Sequence, residues 1–137
     1  MKIISKTINI ATKQRIQFID ITNELEKFVK ESGVRNGICL VHVPHATAAL
    51  ILNENEIGLI EDFKRKISEL FPMNAGYLHD RIDDNAYAHL ASGIIGTSKI
   101  FPIVEGELVR GTWQNLLLTE LDGPRSSRKV IFQVMGE

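Results

Sequence analysis

The chain has a single cysteine, Cys39, so no disulfide can form within it. That excludes a disulfide-stapled secreted scaffold and makes a reducing cytoplasm the expected compartment. Cys39 lies inside the apolar run Gly37–Val43. It reads as a small buried hydrophobe, because a reactive thiol needs an electropositive, accessible setting. No apolar run approaches the roughly 18 residues of a membrane span. The first ten residues, MKIISKTINI, are too short and too alternating for a signal peptide. Neither charge sign dominates: 16 Lys and Arg stand against 17 Asp and Glu, for a net charge of −1. Scattered basic residues argue against a nucleic-acid binder that works by phosphate neutralisation. A small phosphorylated ligand stays open. Internal repeats, low-complexity tracts and linker-like stretches are also missing.

What is present is ordinary for one globular domain. The 137 residues are 44% apolar and 24% charged, enough for a real core. Ile4, Ile8 and Ile10 share one face of an extended segment, the period of a half-buried strand. Arg15–Ile21 is expected as its hairpin partner across a turn at Ala11–Gln14. A helix is expected from about Asn23 to Ser32, with Thr22 as cap, Gly33 as stop and Leu25, Phe28 and Val29 as its apolar stripe. Gly37–Val43 and Thr47–Leu52 read as two strands, or one strongly bent strand, interrupted at Pro44. A second helix is expected over about Ile57–Leu70. Pro72–Asp84 reads as a long loop, of a length that tends to be functional. Asn85 then caps a third helix, Ala86 to about Ile95. Lys99–Val104 and Glu107–Val109 are strands joined by a Glu105–Gly106 turn. Gly111–Leu121 is a long strand, apolar on both faces near Leu116–Leu118, and Lys129–Met135 is the last. About seven mostly antiparallel strands and three helices predict a single α+β domain. Strands apolar on both faces need cover twice, which predicts two packed sheets.

Chemistry concentrates in His79–His89, HDRIDDNAYAH, which holds two of the four histidines and three aspartates, Asp80, Asp83 and Asp84. Imidazole and carboxylate are the usual ligands of a catalytic divalent metal. His45 sits in the break Pro44-His45-Ala46, where an interrupted strand can aim a side chain at a site. The expectation is that the fold gathers His45, His79 and His89 on a common metal. The spacing alone defines no metal site, and ordinary hydrogen-bonded histidines are the plainer reading. His42, inside a strand, reads as a half-buried histidine satisfied by backbone. Glu54, Asp62 and Asp80 are candidate ligands, orienters or general bases, or simply solvated charges. Asn53 and Asn85 flank these groups as candidate substrate contacts. GIIGTSK, with Thr97 and Ser98, could wrap a phosphate or merely end a helix. In GTWQ, Trp113 is core or subunit-interface filling, or else the aromatic wall of a site for a flat heterocycle with Gln114 hydrogen-bonding it, and Thr112 is a candidate substrate contact. Arg125 and Arg128 are either solvated or anion contacts.

PHATAALILNENE (residues 44–56), Asp62, Tyr77-x-His79-Asp80, Asn85, His89, GTSKIFPIVEGELVRGTWQ (96–114) and Arg128 together resemble the YjbQ family of small bacterial and archaeal proteins. The resemblance runs in order over nearly the whole chain, and GTWQ is its most specific piece. His45-Ala46-Thr47 stands where the family often has His-Thr-Thr or His-Thr-Ser, so one hydroxyl is missing. The resemblance implies an α+β fold of packed sheets, a homotrimer, and a polar pocket between subunits holding His45, His79 and His89. It also implies a secondary thiamine-phosphate synthase activity, coupling a pyrimidine-methyl diphosphate to a thiazole phosphate with release of diphosphate. Departure of diphosphate calls for a cation. Mg²⁺ would use the carboxylate oxygens, whereas three histidines suit Zn²⁺ or Mn²⁺. On this reading Glu54, Asp62 or Asp80 orients ligands or moves protons. Trp113 and Gln114 line or brace the pocket, and Arg128 holds an anion. The rivals are a metal-dependent hydrolase, a non-catalytic trimer that binds a small ligand, and a purely structural role for the histidines.

Overall fold

The computed structural model describes residues Met1–Glu137. Eight strands and three α-helices follow in the order β1 (Lys2–Ile10), β2 (Gln17–Asp20), α1 (Thr22–Ser32), β3 (Gly37–His42), β4 (Ala48–Asn53), α2 (Ile57–Leu70), α3 (Ala86–Ile95), β5 (Ser98–Val104), β6 (Glu107–Leu108), β7 (Asn115–Glu120) and β8 (Arg128–Gly136). A 3-10 turn, Leu78–Arg81, precedes α3. The strands form two sheets, a five-stranded one ordered β1-β8-β3-β5-β6 and a three-stranded one ordered β2-β7-β4. Every strand pair is antiparallel.

Three layers result. The inner faces of the two sheets meet over the main core, which includes Cys39, Val41, Phe101, Phe132, Leu116 and Leu118, with α1 adding Leu25, Phe28 and Val29. The other face of the smaller sheet is covered by α2 and α3 through a second cluster containing Ala49, Ile67, Ala88, Ala91 and Leu121. β7 is therefore buried on both sides, as its unbroken run Leu116–Leu118 requires. The outer face of the larger sheet has no such cover. Ile38 lies between Met135 and Pro102, and Leu40 between Gln133 and Ile100, on that face.

Several local expectations are corrected. Arg15–Ile21 is not the hairpin partner of β1. β1 pairs with β8, and the shorter strand β2 pairs with β7 in the other sheet. The segment between them crosses from sheet to sheet, held by the Thr12 N–H donating to Arg125 O at 2.8 Å. The predicted strand Gly111–Leu121 starts only at Asn115, because Gly111–Gln114 forms a turn closed by the Gln114 N–H on Gly111 O. Thr22 is the first residue of α1 rather than its cap, and its hydroxyl accepts from the Leu116 N–H instead. Gly33 ends α1 in the left-handed region at φ 71°, as expected. Glu56 caps α2 by accepting from the Gly58 and Leu59 N–H groups. Gly37 is required by close packing, since a Cβ there would lie 2.1 Å from Met135 O.

Candidate functional site

His79 is carried by the 3-10 turn and His89 by the first full turn of α3. Asp80 Oδ1 accepts the Ala86 N–H at 3.2 Å, tying the turn to the helix start. Asp80 thus serves as the side-chain cap expected of Asn85, which makes no cap bond of its own. The Asp83 N–H donates to His79 O at 3.2 Å and closes the loop beneath the first ring. The two imidazoles then meet edge to face, with centroids 4.7 Å apart and planes at 69°. They open on a cleft of about 440 Å³ lined also by Tyr77, Leu78, Ala86 and Leu90. His42 Nδ1 is bonded to Ser98 Oγ at 2.6 Å, and His45 Nε2 to the Lys129 N–H at 2.8 Å. Neither His79 nor His89 has such a partner within the chain. Asp83 lies close enough to feel both rings: the Asp84 N–H holds its carboxyl below the usual carboxylate range, and the two imidazoles act in the same direction.

His45 belongs to a different cluster, built at the adjoining strand ends. Arg128, only 4% exposed, donates from Nε to Glu120 Oε1 at 2.9 Å. Its Nη2 donates to Glu120 Oε2 and to Thr47 O and Oγ1. Glu120, fully buried, also accepts from Thr12 Oγ1 at 2.7 Å and from the Leu121 and Asp122 N–H groups at 3.0 Å. Burial alone would raise its carboxyl, but the bonds from Arg128, Thr12 and Asp122 and the Arg128 charge hold it below the usual range. Arg128 is thus spent on a buried ion pair and is not the free anion contact considered from the sequence. Asn85 joins the edge of this cluster, its Nδ2 donating to Asp122 Oδ2 at 2.9 Å, while its buried Oδ1 has no partner. Burial first, and the Arg128 charge second, keep the His45 imidazole below its ordinary pKa.

The remaining candidates stand elsewhere. In the ladder of β4 and β7, Asn53 pairs with Asn115 at one end and Ala48 with Glu120 at the other. Those ends are about 17 Å apart at the rise of an antiparallel strand. Asn53, Glu54, Thr112, Trp113 and Gln114 lie at the Asn115 end, away from His45, Glu120 and Asn85. Trp113 is 71% exposed, neither core nor lining of the histidine cleft. Its turn is held by Arg110, which donates to Gln114 O at 2.8 Å and to Glu26 Oε1 at 3.1 Å. Asp62 is on the exposed side of α2, 3.5 Å from Arg65, along a shallow groove with Phe63 and Lys66. Ser98 is bound to His42 on the uncovered sheet face. Gly96 ends α3, its N–H on Ser92 O, so GIIGTSK here is a helix stop. No three His, Cys, Asp or Glu side chains of one chain are grouped so as to hold a metal ion.

Sequence reasoning missed Glu120, Thr12, Thr47 and Asp122. The one available signal was Glu120 itself, a lone charge ending an apolar run in a central strand.

The family described as UPF0047 protein YjbQ-like matches residues 6–137. A UPF0047 protein of Archaeoglobus fulgidus is 43% identical over 124 residues, 90% of this chain and 96% of that one. The Bacillus subtilis UPF0047 protein YugU is 36% identical over 132 residues, covering 96% and 98%. A crystal structure of a YbjQ-like protein of unknown function from Sulfolobus solfataricus superposes with a TM-score of 0.98 at 46% identity, covering 99% of each chain. Carried by the match over nearly its full length and by this shared three-layer architecture, the chain belongs to the YjbQ-like UPF0047 family.

Proposed function

We propose that the protein is a metal-dependent enzyme acting on a small phosphorylated substrate, with His79 and His89 holding the ion. The observation that carries this reading is the pair itself: two imidazoles without partners in the chain, meeting edge to face over one cleft. Two imidazoles on one ion, at metal–nitrogen distances near 2.1 Å, would have centroids roughly 5 Å apart. The 4.7 Å separation fits. Imidazole donors favour Zn²⁺ or Mn²⁺ over Mg²⁺. Catalytic zinc sites usually take three protein ligands, and one chain supplies two here, so a second copy would provide the third. The resemblance implies a homotrimer. A lone buried thiol suits a reducing cytoplasm.

A divalent ion so held supplies Lewis acidity toward a phosphoryl oxygen. The chain's own contribution is placement. Asp80 fixes the turn against α3, and Tyr77, Leu78 and Leu90 give the cleft an apolar wall. Coupling of a pyrimidine-methyl diphosphate to a thiazole phosphate, with release of diphosphate, is one reaction of this class. The cleft is lined by no carboxylate. That favours a second reading, a non-catalytic trimer that binds a small ligand, which binding without turnover would select.

The test is elemental analysis of purified protein together with melting curves in Zn²⁺, Mn²⁺ and Mg²⁺, and molar mass by light scattering. Wild type should carry metal, and Zn²⁺ at about 100 times its Kd should stabilise it by roughly 2.7 kcal/mol. His79→Ala and His89→Ala should lose both effects. Protein that carries no metal and melts identically with all three ions sinks the proposal.

A further inference from the structure

His45 faces a donor. The Lys129 backbone N–H reaches its Nε2 at 2.8 Å, and a backbone amide can only donate. The acceptor must therefore be a ring-nitrogen lone pair. Rotating the ring by half a turn would set a carbon against that amide, so the partner fixes the orientation. A neutral imidazole carries one proton, and with Nε2 accepting, it resides on Nδ1. This reverses the usual arrangement of a ligating histidine, which gives one lone pair to the metal and donates its other N–H to an oxygen. Neither His45 nitrogen has a lone pair to spare.

Arg128 acts most strongly on the ring among the nearby charges, Glu120 opposes it, and Lys129 and Arg125 act in the same direction as Arg128. Arg128 is paired with Glu120 and Arg125 with Asp122, which leaves the exposed Lys129 as the one of these three basic side chains outside an ion pair. Glu120, the nearby carboxylate, has its oxygens filled by Arg128, Thr12 and backbone N–H groups. An N–H donor on a ring that feels the charge of an uncommitted ammonium recognises an anionic oxygen.

We propose that His45 is not a metal ligand but a fixed Nδ1–H donor which, with Lys129, binds a phosphoryl oxygen of the ligand. The buried Glu120–Arg128 pair acts as the positioning element, since Arg128 directly precedes the amide that orients the ring. The proposal takes only its ligand class from the function proposed above. The tautomer itself stands on geometry alone.

The experiment uses the full chain labelled with ¹⁵N at histidine, with ZnCl₂ and inorganic phosphate as separate probes. Long-range ¹H–¹⁵N spectra should show His45 protonated at Nδ1, with its signals unmoved by Zn²⁺ and shifted by phosphate. His45→Ala and Lys129→Ala should each weaken phosphate binding by about tenfold or more, the scale of a charge-assisted hydrogen bond. His45→Asn, which keeps a donor near the Nδ1 position, should weaken it by less than about threefold, well inside one such bond. Zn²⁺ affinity should be unchanged in all three. An Nε2–H tautomer, Zn²⁺ shifts at His45, or tenfold weaker Zn²⁺ binding in both His45 variants would overturn it. So would phosphate binding that is absent from wild type or indifferent to His45→Ala. Wild type that binds phosphate through His45 but takes no metal would leave this assignment standing while the metal reading fails.

Discussion

Replacing Glu120 by glutamine keeps its shape and removes its charge. The structure makes the cost large. Oε1 accepts from Thr12 Oγ1 and Arg128 Nε, and Oε2 accepts from Arg128 Nη2 and two backbone N–H groups. In one orientation the new NH₂ faces Arg128 Nε, and in the other it faces Arg128 Nη2 and two backbone N–H groups, all donors that cannot accept. Arg128, almost fully buried, is left without a countercharge. Breaking a buried pair from one side costs about 3–5 kcal/mol. At about 2.1 cal/mol/K of unfolding entropy per residue, 137 residues give roughly 290 cal/mol/K. The melting temperature should therefore fall by about 10–17 °C. Calorimetry at fixed protein concentration, with urea unfolding beside it, reads the loss. The difference from wild type should be complete at neutral pH. The folded carboxyl is held below its ordinary value of 4.5, so its stabilisation is full above that value and fades as pH falls through the lower folded pKa. A drop below about 1 kcal/mol would mean the pair is no more than a surface ion pair in effect. A difference that persisted undiminished into strong acid would refute the electrostatic origin.

Two further outcomes follow from packing. Burial pushes the Cys39 thiol up to about 12, so a thiol reagent at pH 8 should leave the folded protein untouched and modify it fully in denaturant. Gly37→Ala drives a methyl to 2.1 Å from Met135 O and 2.8 Å from Gly136 Cα, both backbone atoms. It should cost about 1–3 kcal/mol in urea unfolding, the scale of overpacking; a neutral result would show that β3 and β8 separate freely there.

The fold was legible where burial leaves a local imprint. The run Leu116–Leu118 announced a strand covered on both faces, and Ile60, Phe63 and Ile67 announced an amphipathic α2. Glu105 and Gly106, both at positive φ, were legible as the tight turn between β5 and β6. Strand partners were not legible, because a period of two says that Ile4 and Ile8 face a core but not which neighbour they pair with. The density of histidine and aspartate brought out the His79–His89 stretch, and the two rings do meet. The state of His45 was hidden, since the amide that fixes it is 84 residues away in sequence. Arg128 looked free because its partner, Glu120, lies across a turn eight residues back. Whether Trp113 fills a core, fills an interface or walls a site was not legible, because local sequence does not say which end of a sheet a turn occupies.

Strand β7 has an evolutionary corollary. It is a central span, clamped in the middle layer, that keeps the Trp113 turn and the Glu120 cluster at a constant remove. Changes at sites that far apart combine nearly independently. Within a single chain, lineages can therefore rewrite the turn without retuning the charged cluster. Only contact between chains would force the two to drift in step.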